Sequence, residues 1–82
     1  MNAQELRNAF LESLVAVAPD IDPDTVGDDD HLQDDLAMDS MDILNLVIAL
    51  HKRFGVVIPE SDYQQIATLS KAVDYLQQQT AV

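Results

Sequence analysis

The sequence predicts a small all-α protein with three main helices, a fourth short helix and one long loop. Apolar residues recur at intervals of three and four, which is the spacing of one face of a helix. Residues that begin or end helices bound these segments, and an Asp-rich segment separates the first two. The 82 residues, 48% of them hydrophobic, suffice for one thin core, so we assign residues 1–82 to a single domain.

The first helix is predicted over residues 3–17. Its inward face repeats at spacings of four and three, and polar residues fall between the apolar ones. That face consists of Leu6, Phe10, Leu14 and Val17. Pro19 then ends the helix, because proline cannot continue the backbone hydrogen bonding of a helix.

The segment from residue 20 to residue 30 is rich in Asp, Pro and Gly, which is typical of turns. A long loop in so small a domain is usually either functional or disordered. Apolar residues at intervals can pin this loop to the core, so we predict that it is ordered. These residues are Ile21, Val26, Leu32 and Leu36.

The second helix is predicted over about residues 39–54. Asp39 can accept a backbone N–H as the N-cap, and Asp42 three residues later completes a weak capping box. Gly55 is well placed to end the helix. Two basic residues lie in the last turn, where cations interact favourably with the helix dipole.

This second helix has apolar residues on two opposite sides. One side forms the expected core face: Ile43, Leu46, Val47, Leu50 and Phe54. The other side, called the outer stripe below, consists of Met41, Leu44 and Ile48. A surface helix needs only one apolar side. We therefore interpret the outer stripe as a partner-binding surface, and the alternative is that the long loop or the short helix covers it.

Two further helices are predicted in the last third of the chain. A short helical turn spans residues 63–66 after Pro59. Ser70 is predicted as the N-cap of the last helix, because a Ser side chain readily accepts a backbone N–H. Val73 and Leu76 form the inner face of that helix.

The net charge of the chain indicates which classes of partner it can bind. Fifteen acidic and four basic residues give a net charge of −11. A protein that binds nucleic acid or an anionic membrane needs Lys and Arg to neutralise the phosphates, so we expect neither as a partner. A strongly acidic chain favours basic protein surfaces instead. The chain has no Cys. It shows no secretory signal and no membrane-spanning segment, so we expect a cytoplasmic protein without membrane insertion.

Ser40 is the most informative residue, because it lies between Asp39 and Met41 at the start of the second helix. A catalytic role is disfavoured, since the Gly-x-Ser-x-Gly elbow is absent and His51 lies three turns away along the helix. A helix start offers free N–H groups and a positive dipole end, which favour an attached phosphate. Ser40 is therefore either a serine modified by another protein or an ordinary helix-start residue.

The Asp-rich segment matches a calcium-binding loop only in part. Asp20, Asp22 and Asp24 have the first spacings of an EF-hand loop. The sixth position is Thr25 and the twelfth is His31, where that loop needs Gly and Glu. We therefore expect no specific metal site and interpret the acids as a solvated charge run with, at most, weak affinity for divalent ions.

Several separated blocks of the sequence occur in a fixed order. They are Leu36, Asp39-Ser40-Met41, Phe54, Ile58-Pro59, Ile66 and Asp74-Tyr75-Leu76. In this order and spacing they resemble the acyl carrier protein family, without insertions, over about residues 3–80. The resemblance implies a small four-helix bundle with a long loop between helix 1 and helix 2. It also implies that the chain is not an enzyme.

The resemblance implies that Ser40 is the attachment point of 4′-phosphopantetheine, which a phosphopantetheinyl transferase adds from coenzyme A. The thiol of this arm would hold an acyl group as a thioester for acyl-loading and acyl-processing enzymes, so the missing Cys is supplied with the cofactor. Asp39 would cap the helix and help to engage the transferase. We expect a monomer whose partners contact Met41, Asp42, Leu44, Asn45, Ile48, Lys52, Glu60 and Asp62.

Departures from the family pattern bear on the pathway. Ala37 stands where a Gly is common, three residues before the serine, and Met41 replaces the usual Leu. Asn45 stands where many fatty-acid carriers have Glu, and residues 51–53 (His-Lys-Arg) replace a run of acids. Like charges across an interface disfavour a partner, so enzymes that read this end with Arg or Lys should bind poorly. We interpret the chain as a carrier for a specialised pathway, and the alternative is tolerated drift on an exposed helix end.

Other functions stay open alongside this interpretation. A peptidyl or aminoacyl carrier would use the same arm, but the Gly-Gly-His/Asp-Ser pattern of many such carriers is absent. An acidic helical adaptor with an unmodified Ser40 belongs to a different class, and a calcium buffer is weakened by the incomplete loop. The sequence does not identify the acyl group. Nor does it distinguish a fatty-acid or polyketide pathway from another specialised lipid or secondary-metabolite pathway.

Overall fold

The computed structural model describes residues 2–80, and within them it is built from helices. The α-helices are α1 (Ala3–Val17), α2 (Ser40–Phe54) and α3 (Leu69–Thr80). Two 3₁₀ helices, Pro23–Thr25 and Glu60–Ile66, lie in the connections. The described residues contain no β-strand, only an isolated bridge between His31 and Thr68. The predicted all-α class, with a long loop between the first two α-helices, is confirmed.

Helix α1 begins and ends where the sequence predicts. The Asn2 side chain accepts a hydrogen bond from the Glu5 amide at 2.8 Å and so caps the first turn. At the other end, the Ala18 amide donates to the Leu14 carbonyl just before the proline. Val17, predicted as core, is only partly buried. The buried face of α1 consists of Leu6, Ala9, Phe10, Leu11, Ser13 and Leu14.

Helix α2 ends at Phe54 because Gly55 adopts a left-handed backbone conformation, with φ of +69°. Glycine reaches this region without the steric penalty that a Cβ brings. The Gly55 amide donates to the His51 carbonyl at 2.8 Å and closes the last turn. The predicted core face is confirmed, with Phe54 partly buried and the other four residues buried: Ile43, Leu46, Val47 and Leu50.

Helix α3 begins at Leu69, and its N-cap is not the predicted Ser70. The Thr68 hydroxyl accepts a hydrogen bond from the Lys71 amide at 3.2 Å, as an N-cap side chain does. The Ser70 amide instead donates to the Asp28 carbonyl of the long loop at 2.9 Å. The prediction was wrong because a contact with a distant part of the chain fixes where this helix starts.

The long loop between α1 and α2 is packed against the core, as predicted. Leu32 is fully buried and Val26 nearly so, while Ile21 and Leu36 are partly buried against the core. The Leu32 amide donates to the Ala67 carbonyl at 2.9 Å. Together with the hydrogen bond from the start of α3 described above, this contact ties the loop to the segment that leads into α3.

The predicted helical turn at residues 63–66 is the last part of the longer 3₁₀ helix Glu60–Ile66. The Tyr75 hydroxyl of α3 donates a hydrogen bond to the Asp62 carboxylate at 2.9 Å and joins the two elements. The pKa of the Tyr75 phenol is raised above its ordinary value of 10.0. The main cause is burial, and smaller contributions come from the hydrogen bond to Asp62 and the negative charge of that carboxylate. The fold therefore favours the neutral phenol.

A single core joins these elements. Its largest fully buried side chains come from all three α-helices, the long loop and the second 3₁₀ helix: Phe10, Leu6, Leu14, Leu32, Leu46, Leu50, Ile66, Leu69 and Leu76. Burial of one such side chain contributes about 1.5–3 kcal/mol, so the core fixes which side of α2 faces inward. None of the helices in residues 2–80 is long and apolar enough to cross a membrane.

Candidate functional site

Ser40 is the first residue of α2 and is exposed. Asp39 precedes it as the N-cap, and the Asp39 carboxylate accepts a hydrogen bond from the Asp42 amide at 2.9 Å. The Asp42 carboxylate in turn accepts one from the Asp39 amide at 3.3 Å. The predicted capping box is confirmed, and it fixes the point at which the helix starts and presents Ser40.

The start of α2 leaves backbone N–H groups open beside Ser40. The first amides of a helix have no carbonyl partner within the helix. The Asp42 amide donates to the Asp39 carboxylate and the Ile43 amide to the Asp39 carbonyl. Among residues 2–80, the amides of Ser40 and Met41 have no hydrogen-bond acceptor. These two N–H groups and the positive end of the helix dipole suit a phosphodiester on Ser40.

No side chain in the described part of the chain is placed to activate the Ser40 hydroxyl. The two neighbouring carboxylates accept hydrogen bonds from backbone amides, as described above. The His31 ring lies beside Asp34, and the His51 ring nitrogen Nδ1 lies 3.3 Å from the Val56 carbonyl. Catalysis of the Ser-His-acid type needs a base hydrogen-bonded to the serine. Within residues 2–80, therefore, no base is in place to make the Ser40 hydroxyl a nucleophile.

The outer stripe is exposed and begins beside Ser40. Met41 is 62% exposed, Leu44 40% and Ile48 44%. Neither the long loop nor the second 3₁₀ helix covers them, so the alternative that these elements bury the outer stripe is wrong. Apolar side chains left in water on one side of a helix, with charged residues around them, are typical of an interaction surface.

The basic end of α2 consists of residues with different surroundings. Arg53 Nη2 forms an ion pair with Glu12 Oε2 of α1 at 2.9 Å. The His51 ring faces the Val56 carbonyl, as described above. Lys52 is exposed, and no carboxylate within residues 2–80 lies within 4.0 Å of its ammonium. Of the three residues, Lys52 therefore presents a charge that the described structure does not compensate.

The remaining residues predicted to bind partners fall into two groups. Asn45 and Glu60 are exposed and accessible to a partner. Asp62 is half-buried, and its carboxylate accepts hydrogen bonds from Tyr75 at 2.9 Å and from Gln65 at 3.3 Å. Asp62 therefore holds the second 3₁₀ helix against α3, a structural role that the sequence did not indicate.

The backbone just before Ser40 is strained, which the sequence alone did not show. Ala37, three residues before Ser40, has a φ of +59°, in the left-handed region. A residue with a Cβ pays about 1–2 kcal/mol in this conformation, whereas glycine adopts it readily. The family resemblance marked Ala37 as a departure from the Gly expected there, but only the backbone geometry shows why glycine suits this position.

The Asp-rich loop uses its carboxylates to shape the backbone. Asp22 accepts a hydrogen bond from the Asp24 amide at 2.9 Å, and Asp30 accepts one from the Gly27 amide at 2.8 Å. Carboxylates that accept amides in this way stabilise tight turns. Throughout residues 2–80, no group of three or more His, Cys, Asp or Glu side chains is arranged to hold a metal ion.

Comparison with known proteins identifies the family of this chain. A family model described as the phosphopantetheine attachment site matches residues 9–76. The chain belongs to the acyl carrier protein family. Members of this family are carriers and not catalysts, and the matched domain is the one to which phosphopantetheine is attached.

Individual acyl carrier proteins match this chain over nearly its whole length. That of Zymomonas mobilis is 35% identical over 79 residues, which cover 96% of this chain and 95% of the relative. That of Campylobacter hominis is 32% identical over 74 residues, which cover 90% and 87%. A solved structure of the acyl carrier protein from Enterococcus faecalis superposes with a TM-score of 0.74 at 30% identity, covering 96% of this chain and 99% of that one.

Proposed function

We propose that Ser40 carries 4′-phosphopantetheine and that the chain transports acyl groups as thioesters on the thiol of this arm. The observation that carries the proposal is an exposed serine at the first position of α2, preceded by a capping Asp39 and lacking a base of its own. The serine lies within the matched residues 9–76. Because the chain has no Cys, the arm supplies the thiol that a thioester requires.

The chemistry of attachment divides between two proteins. The Ser40 oxygen forms a bond to a phosphorus of the coenzyme A diphosphate, and the bond from that phosphorus to the bridging oxygen breaks. Adenosine 3′,5′-bisphosphate leaves, and the serine proton passes to a base of the phosphopantetheinyl transferase. The carrier contributes position: an accessible hydroxyl at a fixed helix start, and the amides of Ser40 and Met41 as donors to phosphate oxygens.

Intact-mass spectrometry tests the attachment site. The purified chain is treated with a broad-specificity phosphopantetheinyl transferase and coenzyme A. We expect a gain of one phosphopantetheine, abolished in Ser40→Ala and retained in Ser61→Ala, the matched control because Ser61 is also exposed and lies at the start of a helix. A gain that persists in Ser40→Ala, or no gain with several transferases, would overturn the proposal and favour an unmodified acidic adaptor.

For the cargo, we propose acyl groups in preference to amino acids. The chain resembles proteins named acyl carrier proteins over nearly its full length. The competing peptidyl-carrier function predicts loading by an adenylating enzyme that uses an amino acid and ATP. Incubation of the phosphopantetheinylated carrier with acyl-loading and aminoacyl-loading enzymes, followed by intact-mass measurement, distinguishes them. Aminoacyl loading without acyl loading would contradict the proposal.

For the pathway, we propose a specialised lipid or secondary-metabolite route distinct from general fatty-acid synthesis. Support comes from Asn45 and Lys52, which are both exposed on α2 where many fatty-acid carriers present acids. The test measures the rate at which general fatty-acid enzymes elongate the acyl group on the native carrier and on an Asn45→Glu/Lys52→Glu double variant. The double variant should be elongated faster. If the native carrier is elongated equally well, the pathway proposal fails and the carrier proposal stands.

A further inference from the structure

We infer that the partner surface that docks on α2 is apolar opposite the outer stripe and acidic opposite Lys52, so that Lys52 determines which partners bind. This inference rests on the proposed carrier function. It departs from a docking mode in which a basic enzyme surface meets acids along the whole carrier helix. The residue that sets the difference is one exposed lysine.

The position of Lys52 on the helix supports this role. The residues of the outer stripe follow one another at intervals of three and four, and Lys52 follows Ile48 by four. Residues separated by three or four positions lie on the same side of an α-helix. Lys52 therefore lies at the end of the outer stripe farthest from Ser40. A partner that covers the whole outer stripe meets the Lys52 side chain at its edge.

The surroundings of the three basic residues single out Lys52. The Arg53 guanidinium is paired with the Glu12 carboxylate at 2.9 Å, a contact that joins α2 to α1. The His51 ring nitrogen Nδ1 lies 3.3 Å from the Val56 carbonyl, just beyond the end of α2. In the part of the chain that the structure describes, the ammonium of Lys52 has no carboxylate within 4.0 Å. Its charge is thus available to a partner.

The overall charge explains why one lysine can discriminate between partners. A net charge of −11 repels acidic groups over most of the surface and attracts basic ones, so an exposed cation without a nearby carboxylate is a local exception. Acids at the start of α2 (Asp39 and Asp42) suit a basic partner group there, whereas Lys52 makes a basic group unfavourable at the far end. Opposite charges at the two ends of a docking surface fix the orientation of the partner and exclude the reversed one.

A charge-reversal experiment tests this inference. The probe is a bacterial fatty-acid ketosynthase, together with a panel of variants that each change one Arg or Lys of its carrier-docking surface to Glu. The substrates are the native carrier, Lys52→Glu and Lys71→Glu, each loaded with the same acyl-phosphopantetheine arm. Lys71 is the matched control, because it is exposed on α3 and its reversal changes the net charge equally. The readout is kcat/KM for each pair.

We expect that, for one enzyme variant, kcat/KM with the native carrier is about fivefold higher than for the parent enzyme. With the Lys52→Glu carrier, kcat/KM of the same variant should be about fivefold lower than for the parent enzyme. Lys71→Glu should behave like the native carrier across the panel. The inference is overturned if Lys52→Glu follows the native carrier with every variant, or if Lys71→Glu shows the same reversal. Intact mass confirms loading before each assay, so a failure of the carrier proposal is seen separately as an unloaded protein.

Discussion

The two sides of α2 contain the same kinds of residue in opposite surroundings. Leu46 is fully buried, whereas Leu44, two positions earlier, is 40% exposed. Ile43 is 8% exposed and Ile48 44%. The difference comes from their neighbours, because α1 packs against one side of α2 while the other side faces solvent in the described structure. Residue type therefore does not show which apolar residues of this helix build the fold, but helical position does.

The largest expected effect separates the two leucines. Leu46→Ala should lower the free energy of unfolding by about 3 kcal/mol, because it leaves a cavity in the core. Leu44→Ala should lower it by less than about 0.5 kcal/mol, because its side chain is half in water and lies on the surface. Urea unfolding followed by circular dichroism measures both. Equal losses would mean that the outer stripe supports the fold as much as the core face does.

The next effect concerns docking. Ile48→Asn should reduce kcat/KM with a carrier-dependent enzyme about tenfold, since the few contacts worth more than about 1 kcal/mol concentrate at the centre of an interface. The melting temperature should remain nearly unchanged. Val57→Asn is the control, because Val57 is 70% exposed but lies outside α2. If both variants lose activity equally, the outer stripe is not the specific docking surface.

Both sides of α2 depend on where the helix starts. Asp39→Ala should cost about 1 kcal/mol of stability, because it removes the side chain that accepts the Asp42 amide. Asp39→Asn should recover most of this loss, since Asn is an equally good N-cap. Asp29→Ala in the loop controls for the loss of one negative charge. Thermal unfolding of the three variants checks this, and a cost for Asp29→Ala as large as that for Asp39→Ala would count against a capping role.

A smaller gain is expected just before α2. Ala37→Gly should stabilise the protein by about 0.5–1 kcal/mol, because glycine relieves the left-handed strain at φ +59° and this gain exceeds its extra entropy in the unfolded chain. Ala16→Gly, at an exposed position in the last turn of α1, should instead destabilise by about 0.5 kcal/mol. Opposite signs in chemical unfolding would confirm the strain. A loss at both positions would argue against it.

The last effect is visible only at alkaline pH. The folded protein raises the pKa of Tyr75, so the contribution of this group to stability is complete below about pH 10 and is lost as the pH rises through the raised value. In Tyr75→Phe, the free energy of unfolding should therefore fall less as the pH rises above about 10. Tyr63→Phe, at the other of the two tyrosines, is the control. Parallel stability curves for the native protein and Tyr75→Phe above pH 10 would contradict the linkage.

Local signals account for the features that the sequence predicted well. Pro19 and Gly55 stop their helices through backbone chemistry that needs no distant partner, and Asp39 caps α2 with an amide three residues away. The outer stripe follows from helical periodicity alone. Such features depend only on residues within a few positions of one another, so a single sequence is enough to find them.

The features that were missed depend on contacts between distant segments. Thr68 and Ser70 are both plausible caps, and the choice between them depends on a loop carbonyl that accepts the Ser70 amide. The pairing of Arg53 with Glu12 requires α1 and α2 to pack in one particular register. The sequence therefore showed a basic helix end but not which of its charges remains available.

The ties between the long loop and the start of α3 also have a consequence for local opening. The Leu32 amide donates to the Ala67 carbonyl, and the Ser70 amide donates to the Asp28 carbonyl. Both bonds join the loop to residues 67–70, so we expect both amides to exchange with deuterium in one cooperative event, when the loop separates from this segment. In such a native-state exchange experiment, the loop and the first turn of α3 form one unit, although many residues separate them along the chain.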